Sequence, residues 1–285
     1  MDGKTTRGSR HGEVPAAHLL AAMTADGRTI TQLRVPDKTN EITCFTALLE
    51  RHDLAGVTVT ADALHTQRGH VRFLVEEKKA HYLLTVKANQ PELHRRLRAL
   101  PWNDVTARRY DREIGHGRRE TRVTRALTVT GLGLNFPHAV QAARILRHRT
   151  NLATGTVSRQ TVDAITDLTS QEASPERLGR LARSQWTIEN RLHCVRDTTF
   201  AEDASKIRTG HGPENMATLR NLAINAPPHR RVPQHRRRPP PRLLRALHPP
   251  ARPPGHRLTS VLTRSPDFAT PLGIDRGQRR RRARA

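Results

Sequence analysis

The placement of proline constrains this chain more than any other feature. Twelve of its 19 prolines fall in residues 227–285, together with 16 arginines and only two acids, Asp267 and Asp275. Proline removes a backbone donor and interrupts regular structure. Low apolar content combined with high charge cannot offset the entropy of ordering. A packed domain is therefore expected only in residues 1–226, with 227–285 a disordered Arg/Pro-rich tail. The switch at Asn225–Ala226 is abrupt. A basic DNA-binding arm would have this composition. So would an out-of-frame translation of a GC-rich gene, which accounts better for the Arg, Pro and Ala runs.

The whole chain carries 50 Lys and Arg against 26 Asp and Glu, a net +24, of which +14 lies in the tail. Such a surplus favours a polyanionic partner, because each neutralised phosphate releases condensed counterions. Charge alone does not separate a DNA enzyme from an RNA-binding scaffold or a membrane-surface binder. Two cysteines, Cys44 and Cys194, exclude a disulfide framework and a four-cysteine zinc site, and read as small apolar fillers. The 16 histidines show no close zinc spacing. Gly131-Leu132-Gly133 lacks a phosphate-loop pattern, and Arg279–Arg282 reads as a solvated charge run. No apolar run is long enough to span a membrane, and MDGKTTRGSR is not a signal peptide. A cytoplasmic, nucleoid-associated protein is expected.

The body reads as mixed α and β. Residues 18–23 and 29–34 are expected as strands around Ala25-Asp26-Gly27. Residues 40–52 carry Ile42, Phe45, Leu48 and Leu49 at helical spacing, with Asn40 as N-cap. Residues 57–61 form a β-branched run, 66–79 a helix and 81–87 another strand, an order that suggests a parallel pair in a layered α/β core. Arg-rich alternation over 103–172 predicts a β-rich insertion with strands at 118–127, 142–147 and 162–167. Ser174-Pro175 then opens a long helix to about Arg196, and a last helix covers 213–224. The domain plan is thus 1–102, the first part of a core; 103–172, the insertion; 173–226, closing helices; and 227–285, the tail.

Three carboxylates stand at informative places. Asp2 begins a short strand, Asp62 ends the run VTVTAD, and Glu189 lies midway along the long helix near Trp186, Leu192 and His193. A helical carboxylate on a partly apolar face needs a cation or a hydrogen-bond partner. Carboxylates on rigid elements can hold the paired divalent ions that commonly serve phosphodiester chemistry. Taken singly, each acid reads equally as a cap or a solvated surface group.

Asp2-Gly3-Lys4-Thr5 with Arg7-Gly8-Ser9, and Asp37-Lys38-Thr39-Asn40-Glu41-Ile42, resemble the first block of DDE-type transposases of bacterial insertion sequences, of the H-repeat-associated type. Thr58 to Gln67 (TVTADALHTQ) resembles the second block, and YLLTVKANQP the strand and turn after it. Gln185-Trp186-Thr187-Ile188-Glu189-Asn190-Arg191-Leu192-His193, continued by Thr199-Phe200-Ala201-Glu202-Asp203, resembles the third. The resemblance covers about residues 2–225, in the family's order. It implies a ribonuclease H-like core with a β-rich insertion between the second Asp and the Glu. It also implies metal-dependent cleavage and strand transfer at element ends. Asp2, Asp62 and Glu189 would be catalytic and would hold two Mg²⁺ ions, with Mn²⁺ as an alternative. Double-stranded DNA would be the partner, with a homodimer on paired ends. Lys4, Arg7, Lys87, Asn89 and Arg196 would contact DNA, Arg196 from seven residues beyond Glu189. Asn89 and Gln90 fit a turn role equally well.

The chain departs from the family pattern in carrying Gln185 where His is usual and Cys194 where a second aromatic stands. Family members carry a further segment before the first Asp. Truncation is therefore expected at the start, with Asp2 on a half-strand that frays. A degenerate, catalytically inactive fragment that only binds DNA is the alternative function. A non-enzymatic basic scaffold predicts instead that the three acids do not converge.

Overall fold

The computed structural model describes residues 1–226, so the expectation for the tail lies outside the described residues. The chain opens with a three-stranded antiparallel sheet, β1 (Asp2–Thr5), β2 (His18–Met23) and β3 (Thr29–Val35), in the order β1-β2-β3. Helix α1 (Glu41–Leu49) follows. Asn40 caps it, its side chain accepting the Ile42 N–H at 3.0 Å, which satisfies an otherwise unpaired donor. Phe45, Leu48 and Leu49 are buried as their spacing predicts.

Strands β4 (Thr58–Ala61) and β5 (His81–Val86) pair in parallel, joined through α2 (Arg68–Arg72) and a π-helical turn, Phe73–Glu77. The expected helix over 66–79 is thus shorter and widened at its end into a π turn. Helix α3 (Pro91–Ala99) comes next; its Pro91 at the first turn marks its start. Four strands follow: β6 (Arg108–Gly115), β7 (Arg118–Thr128), β8 (Gln141–Asn151) and β9 (Val157–Thr166). Three of them lie where alternation placed strands; β6 was not expected.

The second sheet has the order β4-β5-β9-β8-β7-β6, so the Arg-rich strands extend the core sheet through the antiparallel β5–β9 pair. The two sheets meet where the Met1 nitrogen donates to the Thr60 carbonyl at 2.9 Å. Gln185 donates to the Met1 carbonyl at 2.7 Å. Asp2 therefore follows a residue held on two sides, and the expected fraying is corrected.

Helix α4 (Pro175–Ile188) runs on through a π-helical turn, Glu189–His193, into α5 (Cys194–Thr198). Ser174 caps it through the Arg177 N–H. A short 3-10 turn, Glu202–Ala204, and helix α6 (Gly212–Asn225) close the described chain. On one face of the large sheet, Leu84, Val86, Ala142 and Ile165 pack with α1 to α3 in the main core. On the other face, Leu83, Ala143, Ala164 and Ile145 pack with Leu178 of α4. Coverage of both faces explains why β5 reads as a nearly continuous apolar run. Gly179 lets α4 approach β7, because a Cβ there would lie 2.7 Å from Thr124 Oγ1. Cys44 is buried, whereas Cys194 is exposed, so only the first is an apolar filler. No helix among the described residues is long and apolar enough to cross a membrane.

Candidate active site

Parallel strands leave their most accessible space beyond their carboxyl ends. Asp62 follows β4 and Lys87 follows β5 at that edge. The chain turns immediately after β4 because Asp62 caps the 3-10 turn Ala63–His65, its Oδ1 accepting the Leu64 N–H at 2.8 Å. That bond fixes the carboxylate. Asn89 donates to the Ala63 carbonyl at 2.5 Å and Gln90 to the Thr66 carbonyl at 2.8 Å, binding this turn to the one after β5.

Asp2, Asp62 and Glu189 line one cavity of about 260 Å³, with Lys87, Thr85, Arg122, Arg183, Gln185 and Trp186 also on its wall. The acids come from three separate elements. Among the described residues none of the three has a Lys or Arg within ion-pair distance. Burial pushes the Asp2 carboxyl up to about 6; the nearby ammonium of Met1 opposes this, while the charges of Asp62 and Glu41 add to it. A desolvated carboxyl crowded by another carboxylate is relieved by a cation.

His193 joins the acids, and sequence reading missed it. Its Nδ1 lies 3.2 Å from Glu189 Oε2 and 3.5 Å from Asp2 Oδ2. One ligand atom from each of Asp2, Glu189 and His193 falls within 4.8 Å of the others. Burial lowers the pKa of His193, although the hydrogen bond to Glu189 opposes the shift. The available signal was the four-residue spacing from Glu189, which puts both side chains on one helical face. All-oxygen donors from Asp2, Asp62 and Glu189, with one adjoining imidazole, suit a hard divalent cation.

Beneath this site sits a second group that was missed. Glu41 accepts from His18 at 2.6 Å and contacts buried His65 at 3.2 Å. Burial alone would raise the Glu41 carboxyl, but hydrogen bonds from the two histidines outweigh it and hold the group at about 2. Its oxygens occupy the space where a Cβ on Gly3 would stand, 2.1 Å from Oε1. Glycine at position 3 therefore lets β1 lie against Glu41. The partners are 23 and 24 residues away in sequence, so no local pattern reveals them.

The residues expected to contact DNA divide. Lys87 is exposed on the cavity wall, and Arg7 is 82% exposed near Asp203. Lys4 is bonded to Asp197 at 2.8 Å with a tenth of its side chain exposed, so its charge is largely committed. Asn89 spends its amide on the Ala63 carbonyl. Arg196 is corrected: it is wholly buried, gripping Glu202 through two bonds of 2.6 and 2.8 Å and Gln32 at 3.1 Å. A guanidinium without surface cannot reach a phosphate. It serves as the core ion pair of the closing helices.

The family described as "Transposase DDE domain" matches residues 1–226. This chain belongs to the DDE transposase family. "Putative transposase YncI" of Escherichia coli O157:H7 is 31% identical over 241 residues, covering 79% of this chain and 60% of that protein. "H repeat-associated putative transposase YhhI" of Escherichia coli K12 is 27% identical over 239 residues, covering 79% of this chain and 62% of that protein. The DDE transposase chain thus spans about three-fifths of the length of these relatives.

Proposed function

We propose that this chain carries the catalytic centre of a DNA transposase that cleaves and joins strands at insertion-sequence ends, with Asp2, Asp62 and Glu189 as the ligands of two Mg²⁺ ions. The observation that carries the reading is the meeting in one cavity of three carboxylates from distant segments, none with a Lys or Arg partner among the described residues. The strand order β3-β2-β1 followed across the Met1–Thr60 bond by β4-β5 supports a ribonuclease H-like core. Residues 103–172 then act as an insertion built onto that core between Asp62 and Glu189.

Asp2, Asp62 and Glu189 would hold the divalent cations, which would supply activation of an attacking oxygen and stabilisation of a leaving one. The protein's own part is to hold the ligands. The Leu64 N–H orients Asp62, the two neighbours of Met1 hold β1, and His193 bonds the Glu189 carboxylate. Lys87 supplies positive charge at the cavity wall beside an incoming DNA backbone. Double-stranded DNA is the partner in this reading, and Mn²⁺ would serve in place of Mg²⁺.

The test is cleavage and strand transfer on element-end DNA with purified protein and Mg²⁺. Asp62→Asn and Glu189→Gln are expected to abolish product. Product at the parental rate from either variant rejects the assignment. DNA binding with no product from the parental chain would favour the inactive, DNA-binding alternative.

A further inference from the structure

Beside the carboxylate cavity lies a second one of about 360 Å³, lined by Arg122, Arg147, Arg183, Ser184, Trp186, Thr187 and Asn190. Arg122, Arg183 and Trp186 belong to both. Strand register explains the cluster. Arg122 stands opposite Arg147, and Glu120 opposite Arg149, on adjacent same-face rungs of β7 and β8. Directly opposed like charges destabilise a sheet unless something holds them. Here Glu120 does so: Arg147 binds it at 2.7 and 3.0 Å, Arg149 at 2.9 Å, and Arg122 also contacts it. Arg183 of α4 reaches Asp111 at 3.1 Å and Glu113 at 2.7 Å, and Arg122 reaches Glu113 at 3.2 Å.

Four guanidiniums thus face three carboxylates, and three of the four share the single carboxylate of Glu120. Each guanidinium has five donors, and these pairings use only some of them. Arg122 Nε and Arg183 Nε are buried without a hydrogen-bond partner. The Arg147 guanidinium lies over the Trp186 ring at 4.8 Å, which further fixes its plane. The buried Nε atoms only fix the planes; the guanidiniums that line the open cavity beside the carboxylates present a pre-oriented set of donors suited to phosphate oxygens.

We propose that Arg122, Arg147 and Arg149, organised by Glu120, form a cradle for the DNA backbone next to the phosphate held at the carboxylate cavity. The inference rests on the proposed transposase reading for its partner but not for its chemistry. Glu120 is a positioning residue. Its role is to hold the arginines in one patch, so that ordering them adds little to the cost of binding.

Trp186 makes the cradle testable in the full chain. The other tryptophan, Trp102, is 4% exposed and packs on the opposite face. Short double- and single-stranded oligonucleotides of mixed sequence, without divalent cation, are titrated while anisotropy and tryptophan emission are read together. Binding is expected to quench emission, and the quenching is expected to vanish in Trp186→Phe. Arg149→Gln and Arg147→Gln should each lower the slope of log K against log salt by about one. Glu120 keeps two guanidiniums in each single variant, so no carboxylate is orphaned. Arg119→Gln and Arg159→Gln, on the opposite sheet face by register, should leave the quenching unchanged. Anisotropy that reports binding, with silent Trp186 and unchanged slopes in the Arg147 and Arg149 variants, overturns the cradle alone. No binding to any oligonucleotide overturns both the cradle and the DNA reading. Quenching and slope changes in a chain whose cleavage ignores Asp62→Asn would leave the cradle standing and remove only the catalytic assignment.

Discussion

At the β4–β5 end of the large sheet, carboxylates stand without an arginine or lysine partner among the described residues, whereas across β6 to β9 arginine holds each strand-borne acid. Asp111, Glu113, Glu120 and Asp163 all have guanidiniums within 3.5 Å. Asp2, Asp62 and Glu189 have none among the described residues. In the hairpins, negative charge is consumed in holding the sheet together and keeping arginines in place. At the strand ends it is left available. A strongly basic chain nevertheless keeps three acids in one cavity without a Lys or Arg partner among the described residues.

The comparison breaks most decisively at the cavity. Asp62→Asn or Glu189→Gln should remove all Mg²⁺-dependent cleavage without lowering the melting temperature, since neither acid is paired with Lys or Arg among the described residues and each amide keeps an oxygen for the Leu64 N–H or for His193. A variant that loses activity only because it unfolds would sink that distinction, and calorimetry would show it. Opposite behaviour is expected of Arg196→Met. It leaves the buried Glu202 carboxylate with Arg220 alone, at 3.2 Å, and should cost about 3–5 kcal/mol in denaturant unfolding. Its salt dependence of DNA binding should not change. Saturating Mg²⁺ provides a smaller and reversible effect. At a hundred times its dissociation constant it should stabilise the parental chain by about 2.7 kcal/mol, and chelation or Asp62→Asn should erase the gain. Ser174→Ala should be mildest, about 1 kcal/mol for a lost cap, read as a small shift in the urea midpoint.

Much of the fold was legible because its signals are local. Asn40 and Ser174 cap the helices they announce, and β2, β3, β4 and β5 follow their apolar runs. Strand β6 gave no such signal: most of its residues are exposed, so alternation has nothing to mark. Helix α3 buries only Leu93 and Leu97, and its proline was read as part of a turn. At the site, the short strings singled out three acids that line one cavity, but not the Glu41 cluster, whose partners meet only in three dimensions. Arg196 was assigned to DNA on the resemblance alone, and the structure buries it against Glu202. Seven residues nearly complete two turns of an unbroken α-helix, which would put Arg196 on the Glu189 face.

The wide turn at Glu189–His193 changes that arithmetic. Each π turn takes in one residue more than an α turn, worth about 100° of phase. The helix before it is thus phased to the sheet, and the helix after it to the closing segment that Arg196 anchors. The turn acts as a slip joint. The half before it faces the arginines of the sheet, the half after it carries the buried anchor, and the glutamate stands at the seam between them.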